Sequence, residues 1–166
     1  QGADEVFAGY HWYPKLEGSN RPVEDYAEAF FDRDHEKMGR HLEARWHNGD
    51  EARKVVSDHF GMPGATDPVD KALRLDTQIM LADDPVKRVD NMTMAWGLEA
   101  RVPFLDHELV ELAARIPARH KLADGGKGVL KAVARRVVPK EVIDRPKGYF
   151  PVPALKYLDG PYLEMA

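Results

Sequence analysis

Two acidic residues near the beginning of the chain are the first candidates for chemistry. Asp4 and Glu5 follow a glycine in the stretch QGADEVFAGY, where an aromatic-rich helix is expected to begin. Carboxylates in the first turn of a helix complement its dipole and accept hydrogen bonds from free backbone N–H groups. Alternatively, Asp4 holds Mg²⁺, a hard cation that prefers carboxylates and completes its shell with phosphate oxygens. The local sequence leaves both interpretations open.

Lys147 is the next candidate, because it lies between a proline and a glycine in DRPKGYFPVP. A lysine on such a stiffened loop can present a point charge to a phosphoryl group. A solvated lysine in a turn is the alternative. The stretch ADGGKG has the glycines of a phosphate-binding loop but lacks its spacing and its following Ser or Thr, which favours a flexible turn.

The charged stretch DDPVKRVDNMTMAWGLEARVPFLD supplies a further group of candidates. Asp90 comes four residues after Val86, so on a helix it shares the apolar side. A carboxylate there must be paired or hydrogen-bonded, because burying it alone costs several kcal/mol. Glu99 and Arg101 are its expected partners. Networks of this kind are structural more often than catalytic.

Several classes of site are excluded by the residues present. The chain has no cysteine, so it contains no disulfide and no thiolate ligand. His35, His41 and His47 recur every six residues; six helical steps turn about 600°, so consecutive members could not share a metal on one helix. The motifs GxSxG and GxxxxGK[ST] are absent, which excludes a hydrolase elbow and a Walker loop.

The composition is that of a globular protein. The 166 residues are 43% hydrophobic and 31% charged, with a net charge of −4. An acidic chain provides no basic field for nucleic acid, so none is expected as a partner. Its apolar runs are far shorter than the ~20 residues that span a bilayer. A reducing cytoplasm is the expected location, and the missing initiator Met leads us to expect a piece of a longer protein.

Proline and glycine divide the chain into segments with helical spacing of apolar residues, and no stretch alternates long enough to predict a strand. We expect one helix over residues 23–42 and another over residues 129–138. The apolar residues that carry the first of these predictions are Tyr26, Phe30, Phe31 and Met38.

Aspartates mark the expected beginnings of four more helices. Asp67 and Asp84 each precede a proline, an arrangement typical of a helix cap and first position. Asp50 and Asp106 are expected to cap the other two. The helix from Asp84 should end near Gly97. The residues expected to face the core from these helices are Val55, Val56, Phe60, Ala72, Leu75, Ile79, Met80, Leu109, Val110, Leu112 and Ala113.

Three stretches in this order resemble signatures of the glutamine-dependent asparagine synthetase family. They are QGADEVFAGY, VDNMTMAWGLEARVPFLDHELVELAARIP and RPKGYFPVP, and they extend over nearly the whole chain. The stretches FFDRDH and DDPVKRVDNMTMAWGLEARVPFLDHELVELAAR are additionally similar to the N-acetylglutaminylglutamine amidotransferase subgroup.

The resemblance implies a mainly α fold for residues 1–166, as one domain. This domain would be the helical C-terminal portion of an adenine-nucleotide α-hydrolase-like α/β synthetase domain, whose parallel sheet lies upstream. ATP and Mg²⁺ are the implied cofactors: the full protein adenylates a carboxylate and amidates it with glutamine-derived ammonia. The implied partners are the upstream sheet, a glutaminase domain and a small-molecule or peptide carboxylate; a homodimer is left open. The chain alone is expected to be inactive.

The resemblance also implies roles for individual residues. Asp4 matches a metal-binding aspartate of the family, and with Gly2 it would bind the Mg²⁺-pyrophosphate part of the cofactor. Lys147 matches the lysine that stabilises charge at the α-phosphorus. The remaining positions implied as substrate-binding are Gln1, Arg88, Glu99 and Arg101. For Glu99 and Arg101, a structural role is the alternative.

Gln1 departs from the family pattern, which has a glutamate implicated in handling the proton of the incoming ammonia. Glutamine cannot act as a general base in that way. The difference disfavours aspartate as the acceptor, unless another group performs the proton transfer. A non-catalytic helical module that binds a partner is the second hypothesis.

Overall fold

The computed structural model describes residues 1–146 and residue 160, and in these residues the regular structure is helical, with no strand. This agrees with the mainly α prediction. The α-helices of the described part are α1 (Ala3–Val6), α2 (Pro22–Phe30), α3 (His35–Gly39), α4 (Glu51–Gly61), α5 (Pro68–Leu75), α6 (Lys87–Met94), α7 (His107–Arg115), α8 (Ala118–Leu122), α9 (Gly128–Ala134) and α10 (Lys140–Ile143). Short 3₁₀ turns cover Tyr13–Leu16, Ala44–Trp46, Pro103–Leu105 and Ala123–Gly125.

Three predicted helix beginnings are confirmed by their capping hydrogen bonds. The carboxylates of Asp50, Asp67 and Asp106 accept from backbone N–H groups in the first turns of α4, α5 and α7, at 3.1, 2.8 and 3.0 Å. Each bond satisfies an N–H group that has no partner inside its helix. Gly97, with φ of +67°, ends the helical stretch that contains α6, as predicted.

The prediction of one helix over residues 23–42 is wrong, because two helices lie there. Phe31 is extended, with ψ of 124°, and ends α2. The side chain of Asp34 then accepts from the N–H of Lys37 at 2.7 Å and begins α3. A strong local cap therefore interrupts an apolar pattern that would suit one helix.

The predicted new helix at Asp84 is also wrong. Two π-helical segments, Asp76–Met80 and Ala82–Val86, join α5 to α6, and the junction residues all have helical dihedrals. Pro85 therefore lies inside a continuous helical stretch. Proline lacks an N–H and its ring clashes with the carbonyl four residues earlier in an α-helix. The wider π turn changes this pairing and accommodates the ring.

Two apolar clusters hold these helices together, and the stretch of residues 6–8 contributes to each of them. Val6 and Phe7 pack with Ala113 of α7, whereas Ala8 packs in the other cluster. That larger cluster contains Tyr13, Leu16, Tyr26, Val56, Phe60, Val69, Ala72, Leu73, Leu75 and Ala118. The stretch after α1 thus links the two halves of the described core.

Most predicted core residues are buried or half-buried, with two exceptions. Val55 and Leu112 are 51% and 56% exposed, so the predictions for them are wrong. Both lie on the outer edge of an apolar stripe, where helical spacing alone does not locate the boundary with solvent. No helix in residues 1–146 has the length and apolarity that crossing a membrane requires.

Candidate functional site

The site is built around the single turn of α1, which begins after Gly2. Gly2 is buried and has φ of +89°, a left-handed conformation that glycine adopts without strain. A Cβ at this position would lie 2.8 Å from Cγ of Leu105. Only glycine therefore fits between α1 and the turn Pro103–Leu105. The stretches QGADE and VPFLD are thereby packed against each other.

Asp4 forms an ion pair with a lysine that lies far away in the sequence. The Nζ atom of Lys127 donates to Oδ1 of Asp4 at 3.1 Å, and the two side chains are 27% and 25% exposed. Both groups are thus reachable from solvent but partly shielded from it. A pair in this position is screened less by salt than one on the open surface.

The loop of Lys127 is docked onto the end of α1. Lys127 has φ of +58°, and its N–H donates to the carbonyl of Phe7 at 3.0 Å. Gly126 is buried, and a Cβ on it would lie 2.5 Å from the carbonyl oxygen of Ala8. The turn predicted at ADGGKG is present, and backbone contacts to residues 7 and 8 hold it in place.

Gly9 provides the space that the ion pair occupies. Its N–H donates to the carbonyl oxygen of Asp4 at 2.7 Å. A Cβ on Gly9 would overlap the carboxylate of Asp4 and lie 2.9 Å from Cε of Lys127. The conformations of α1 and the Lys127 loop thus depend on glycine at three close approaches, at positions 2, 9 and 126.

This arrangement fits one side of a metal–phosphate site. A carboxylate and an ammonium group, each about a quarter exposed, stand side by side on glycine-rich backbone. Within residues 1–146, no cluster of three His, Cys, Asp or Glu side chains could hold a metal by itself. Mg²⁺ commonly takes only one or two protein carboxylates and fills its shell with waters and phosphate oxygens. Asp4 alone therefore fits as a partial ligand set.

The other predicted site residues lie in separate places. Gln1 is exposed, directly before Gly2. Arg88 pairs with Asp84 at 3.1 Å on the surface of the long helical stretch. Lys147 lies outside the described residues, and its role stays a prediction.

The predicted network around Asp90 is wrong. Asp90 is exposed, and Arg101 pairs with Glu99 at 3.1 Å instead, with side chains 81% and 70% exposed. The continuous helical geometry from α5 to α6 turns this face outward, so no buried carboxylate needs compensation here. An exposed pair of this kind contributes little to stability.

A buried carboxyl group that the sequence reasoning missed lies behind α1. Asp76 is fully buried and accepts hydrogen bonds from Tyr26 and, at 2.6 Å, from Tyr13. Burial raises the pKa of Asp76 to about 6; the hydroxyls of Tyr13 and Tyr26 oppose this shift, and the negative charge of Glu5 adds to it. The signal available in the sequence was one acid beside the apolar residues of α5.

Two of the three regularly spaced histidines meet in space. The rings of His35 and His47 stack at 4.0 Å, and Nε2 of His47 lies 3.0 Å from the carbonyl oxygen of His35. Helical angles would separate these residues only on one continuous helix, whereas His35 begins α3 and His47 follows the turn Ala44–Trp46. Their contact closes that turn.

Comparison of the sequence with known proteins identifies a family. The family model for asparagine synthase matches residues 1–166. A putative glutamine-hydrolyzing asparagine synthetase of Mycobacterium tuberculosis (strain ATCC 25618 / H37Rv) is 37% identical over 123 residues, which cover 73% of this chain and 18% of that protein. Glutamine-hydrolyzing asparagine synthetase 1 of Bacillus subtilis (strain 168) is 35% identical over 107 residues, 64% of this chain and 17% of that protein.

A longer match is to glutamine-hydrolyzing asparagine synthetase 3 of the same Bacillus strain. It is 29% identical over 160 residues, which cover 90% of this chain and 25% of that protein. The chain thus spans a quarter or less of the length of these relatives. No solved structure matches the chain significantly.

Proposed function

Because the chain belongs to the asparagine synthase family, we propose that it is part of an ATP-dependent, glutamine-hydrolysing amidotransferase. In the full protein, a carboxylate would be adenylated and then amidated with glutamine-derived ammonia. The observation that carries this proposal is the Asp4–Lys127 pair, set at 3.1 Å on glycine-restricted backbone. The relatives bear the name glutamine-hydrolyzing asparagine synthetase, which supports the same reaction class.

Mg²⁺-ATP, when bound, supplies the leaving group that makes a carboxylate electrophilic. The residues of this chain would hold its phosphate part. Asp4 would bind the metal with Gly2 shaping the turn, and Lys127 would neutralise phosphate oxygens from the adjacent loop. Lys147 would add a second cation at the α-phosphorus. Asp4 and Lys127 neutralise each other in this structure, so both charges are kept in place by a partner of opposite sign.

The acceptor is proposed to be N-acetylglutaminylglutamine or a similar peptide carboxylate. The basis is the resemblance of FFDRDH and the 83–115 stretch to that subgroup, together with glutamine at position 1. Arg88, Glu99 and Arg101 are proposed to face the acceptor or the floor of the site. Their ion pairs are exposed and so can exchange partners at low cost.

The remaining parts of the enzyme would lie outside these residues. We propose that an upstream parallel sheet of adenine-nucleotide α-hydrolase type brings the loop for adenine and phosphate, and that a glutaminase domain supplies ammonia. The chain alone would then be inactive. A cytoplasmic location follows the same proposal, because ATP and glutamine are available there.

The decisive experiment measures AMP release by the full-length protein. Aspartate and N-acetylglutaminylglutamine are offered as acceptors with ATP, Mg²⁺ and glutamine. We expect AMP to form in step with an amide product, and the peptide to be the better acceptor. Absence of AMP with every carboxylate tested would refute the proposed activity.

A non-catalytic partner-binding module is the second candidate. The surface that favours it consists of Met92, Met94, Trp96 and Leu98, which are 70%, 52%, 90% and 62% exposed. Exposed apolar side chains so close together indicate a surface that another protein part covers. The enzyme also needs such a surface, to pack on the upstream sheet. A coding sequence upstream with a Ser-Gly-Gly-x-Asp-Ser loop favours the enzyme, and one without it favours the module.

A further inference from the structure

A cavity of about 450 Å³ lies directly beside α1. It is open to solvent and is lined by residues of α5, the first π segment, α7 and residues 63–66. Val6, Leu73 and Val110 contribute apolar lining. This volume lies in the range of small-molecule sites, about 300–1,000 Å³. Glu5 lines the cavity and directly follows Asp4 in the chain.

Lys121 is one of two basic residues in this lining. Its side chain is only 3% exposed, and its Nζ donates to Oδ1 of Asp70 at 3.0 Å. An ammonium group has three N–H bonds, so two further donors remain for a molecule in the cavity. Arg74 also lines the cavity, but its guanidinium donates to the carbonyls of His59, Met62 and Pro63. Arg74 therefore stabilises the wall of the cavity.

Glu5 is the matching acceptor. It is 2% exposed, and Oε1 accepts from the hydroxyl of Tyr10 at 2.6 Å. Among the residues that the structure describes, Tyr10 is its one hydrogen-bond donor. A carboxylate offers about four lone-pair sites. A buried carboxylate with this little hydrogen bonding favours a ligand that brings an N–H group.

The cavity lining contains equal numbers of acidic and basic side chains. Glu5 and Asp70 supply two acidic groups, and Lys121 and Arg74 supply two basic groups. A charged ligand would disturb this balance and lose its hydration, which is costly in a confined site. A neutral group that both donates and accepts hydrogen bonds suits it better, and an amide is such a group.

We propose that this cavity binds an amide group of the acceptor, with Glu5 accepting from the amide nitrogen and Lys121 donating to the amide carbonyl. This inference rests on the proposed function, and it assigns the acceptor to the class of peptides or primary amides that also carry a carboxylate. Aspartate has no amide and would leave both groups without this partner.

The test compares acceptors in the full-length protein. Glu5→Met removes the acceptor oxygen, and Ala114→Phe narrows the cavity from the exposed side of α7 without changing any charge. We expect each variant to raise the KM for N-acetylglutaminylglutamine at least tenfold in AMP release, while the KM for ATP stays within twofold. Glu5→Gln keeps an acceptor oxygen and should restore most of the affinity. The matched control is Glu17→Met at an exposed position.

The outcomes separate this inference from the proposed function. Normal peptide KM values in both Glu5→Met and Ala114→Phe would overturn the cavity assignment and leave the activity standing. If no carboxylate gives AMP, the activity fails, and calorimetric titration with the same peptide decides the cavity. Binding to the unmodified protein that Ala114→Phe abolishes supports the assignment. Equal binding to both proteins, or binding to neither, overturns it.

Discussion

The Nζ atom of Lys127 lies 3.1 Å from Oδ1 of Asp4, although 123 positions separate the two residues in the sequence. Backbone contacts also hold the two loops together. The N–H of Lys127 donates to Phe7, and Gly126 lies against Ala8. The two loops therefore present a carboxylate and an ammonium group as one unit.

Replacing Lys127 tests its proposed role at the phosphates. In the full-length protein, Lys127→Met should lower ATP–pyrophosphate exchange by about 100-fold, because a preorganised cation at developing charge typically contributes that much. Lys140→Met, at an exposed lysine of α10, is the control. Near-normal exchange in Lys127→Met would remove Lys127 from the site.

Lys147 is expected to behave in the same way. Lys147→Ala should abolish adenylation, because it removes the charge proposed at the α-phosphorus, and glutamine hydrolysis should be largely retained. ATP–pyrophosphate exchange and ammonia release are measured on the same preparation. A parallel loss of both activities would indicate a general defect rather than this role.

Removal of the Asp4 charge should change the metal dependence. Asp4→Asn is expected to raise the Mg²⁺ concentration for half-maximal exchange at least tenfold, because an amide is a much weaker ligand for Mg²⁺ than a carboxylate. Asp58→Asn, at an exposed position of α4, provides the comparison. An unchanged Mg²⁺ titration curve would contradict the assignment of Asp4.

A methyl group at position 9 should disturb the site more than the fold. In Gly9→Ala the new Cβ would meet the Asp4 carboxylate and Cε of Lys127, so we expect exchange activity to fall at least tenfold. The control Gly61→Ala places its Cβ in open space at the end of α4, where alanine should be neutral or slightly stabilising. Equal activities of the two variants would show that the spacing around Asp4 is not critical.

The buried carboxyl group of Asp76 should make stability depend on pH. Its pKa rises from 3.8 to about 6 on folding, mainly because of burial, so the native state binds more protons than the unfolded state between these values. This contribution is therefore favourable below about pH 4, falls as the pH rises to about 6, and is then constant. The difference amounts to roughly 3 kcal/mol.

Urea unfolding of the wild type and of Asp76→Asn at pH 4, 5, 6 and 7 measures this effect. The asparagine variant lacks the titrating group. Its free energy of unfolding minus that of the wild type should therefore increase as the pH rises. Subtracting the two curves removes the contribution of the other acidic residues. Parallel curves would mean that the pKa of Asp76 is not raised.

Local sequence was sufficient where a short-range interaction decides the structure. Asp50, Asp67 and Asp106 were identified as caps because a cap involves only the next two or three residues. It was insufficient at Pro85, where a π segment carries the helix past a proline. The choice between a helix break and a π turn depends on packing along the whole stretch from α5 to α6.

The candidate site was likewise only partly predictable from local sequence. Asp4, Gly2 and Gln1 were identified from their resemblance to a family motif, but Lys127 was dismissed as part of a flexible turn. Its loop lacks a recognised motif, and its position follows from backbone contacts with residues 7 and 8. The partners expected for Asp90 were wrong, because Arg101 pairs with Glu99 instead.

By itself the sequence determined the helical class, three of the helix beginnings and the family, and it proposed Asp4 as a site residue, because these depend on short-range spacing and on motifs. Only the tertiary structure decided that Lys127 faces Asp4, that Asp76 is buried beneath two tyrosines, and that Glu5 and Lys121 share a cavity. Those relationships join residues that are far apart in the sequence, and they arise from the packing of the two apolar clusters rather than from any local pattern.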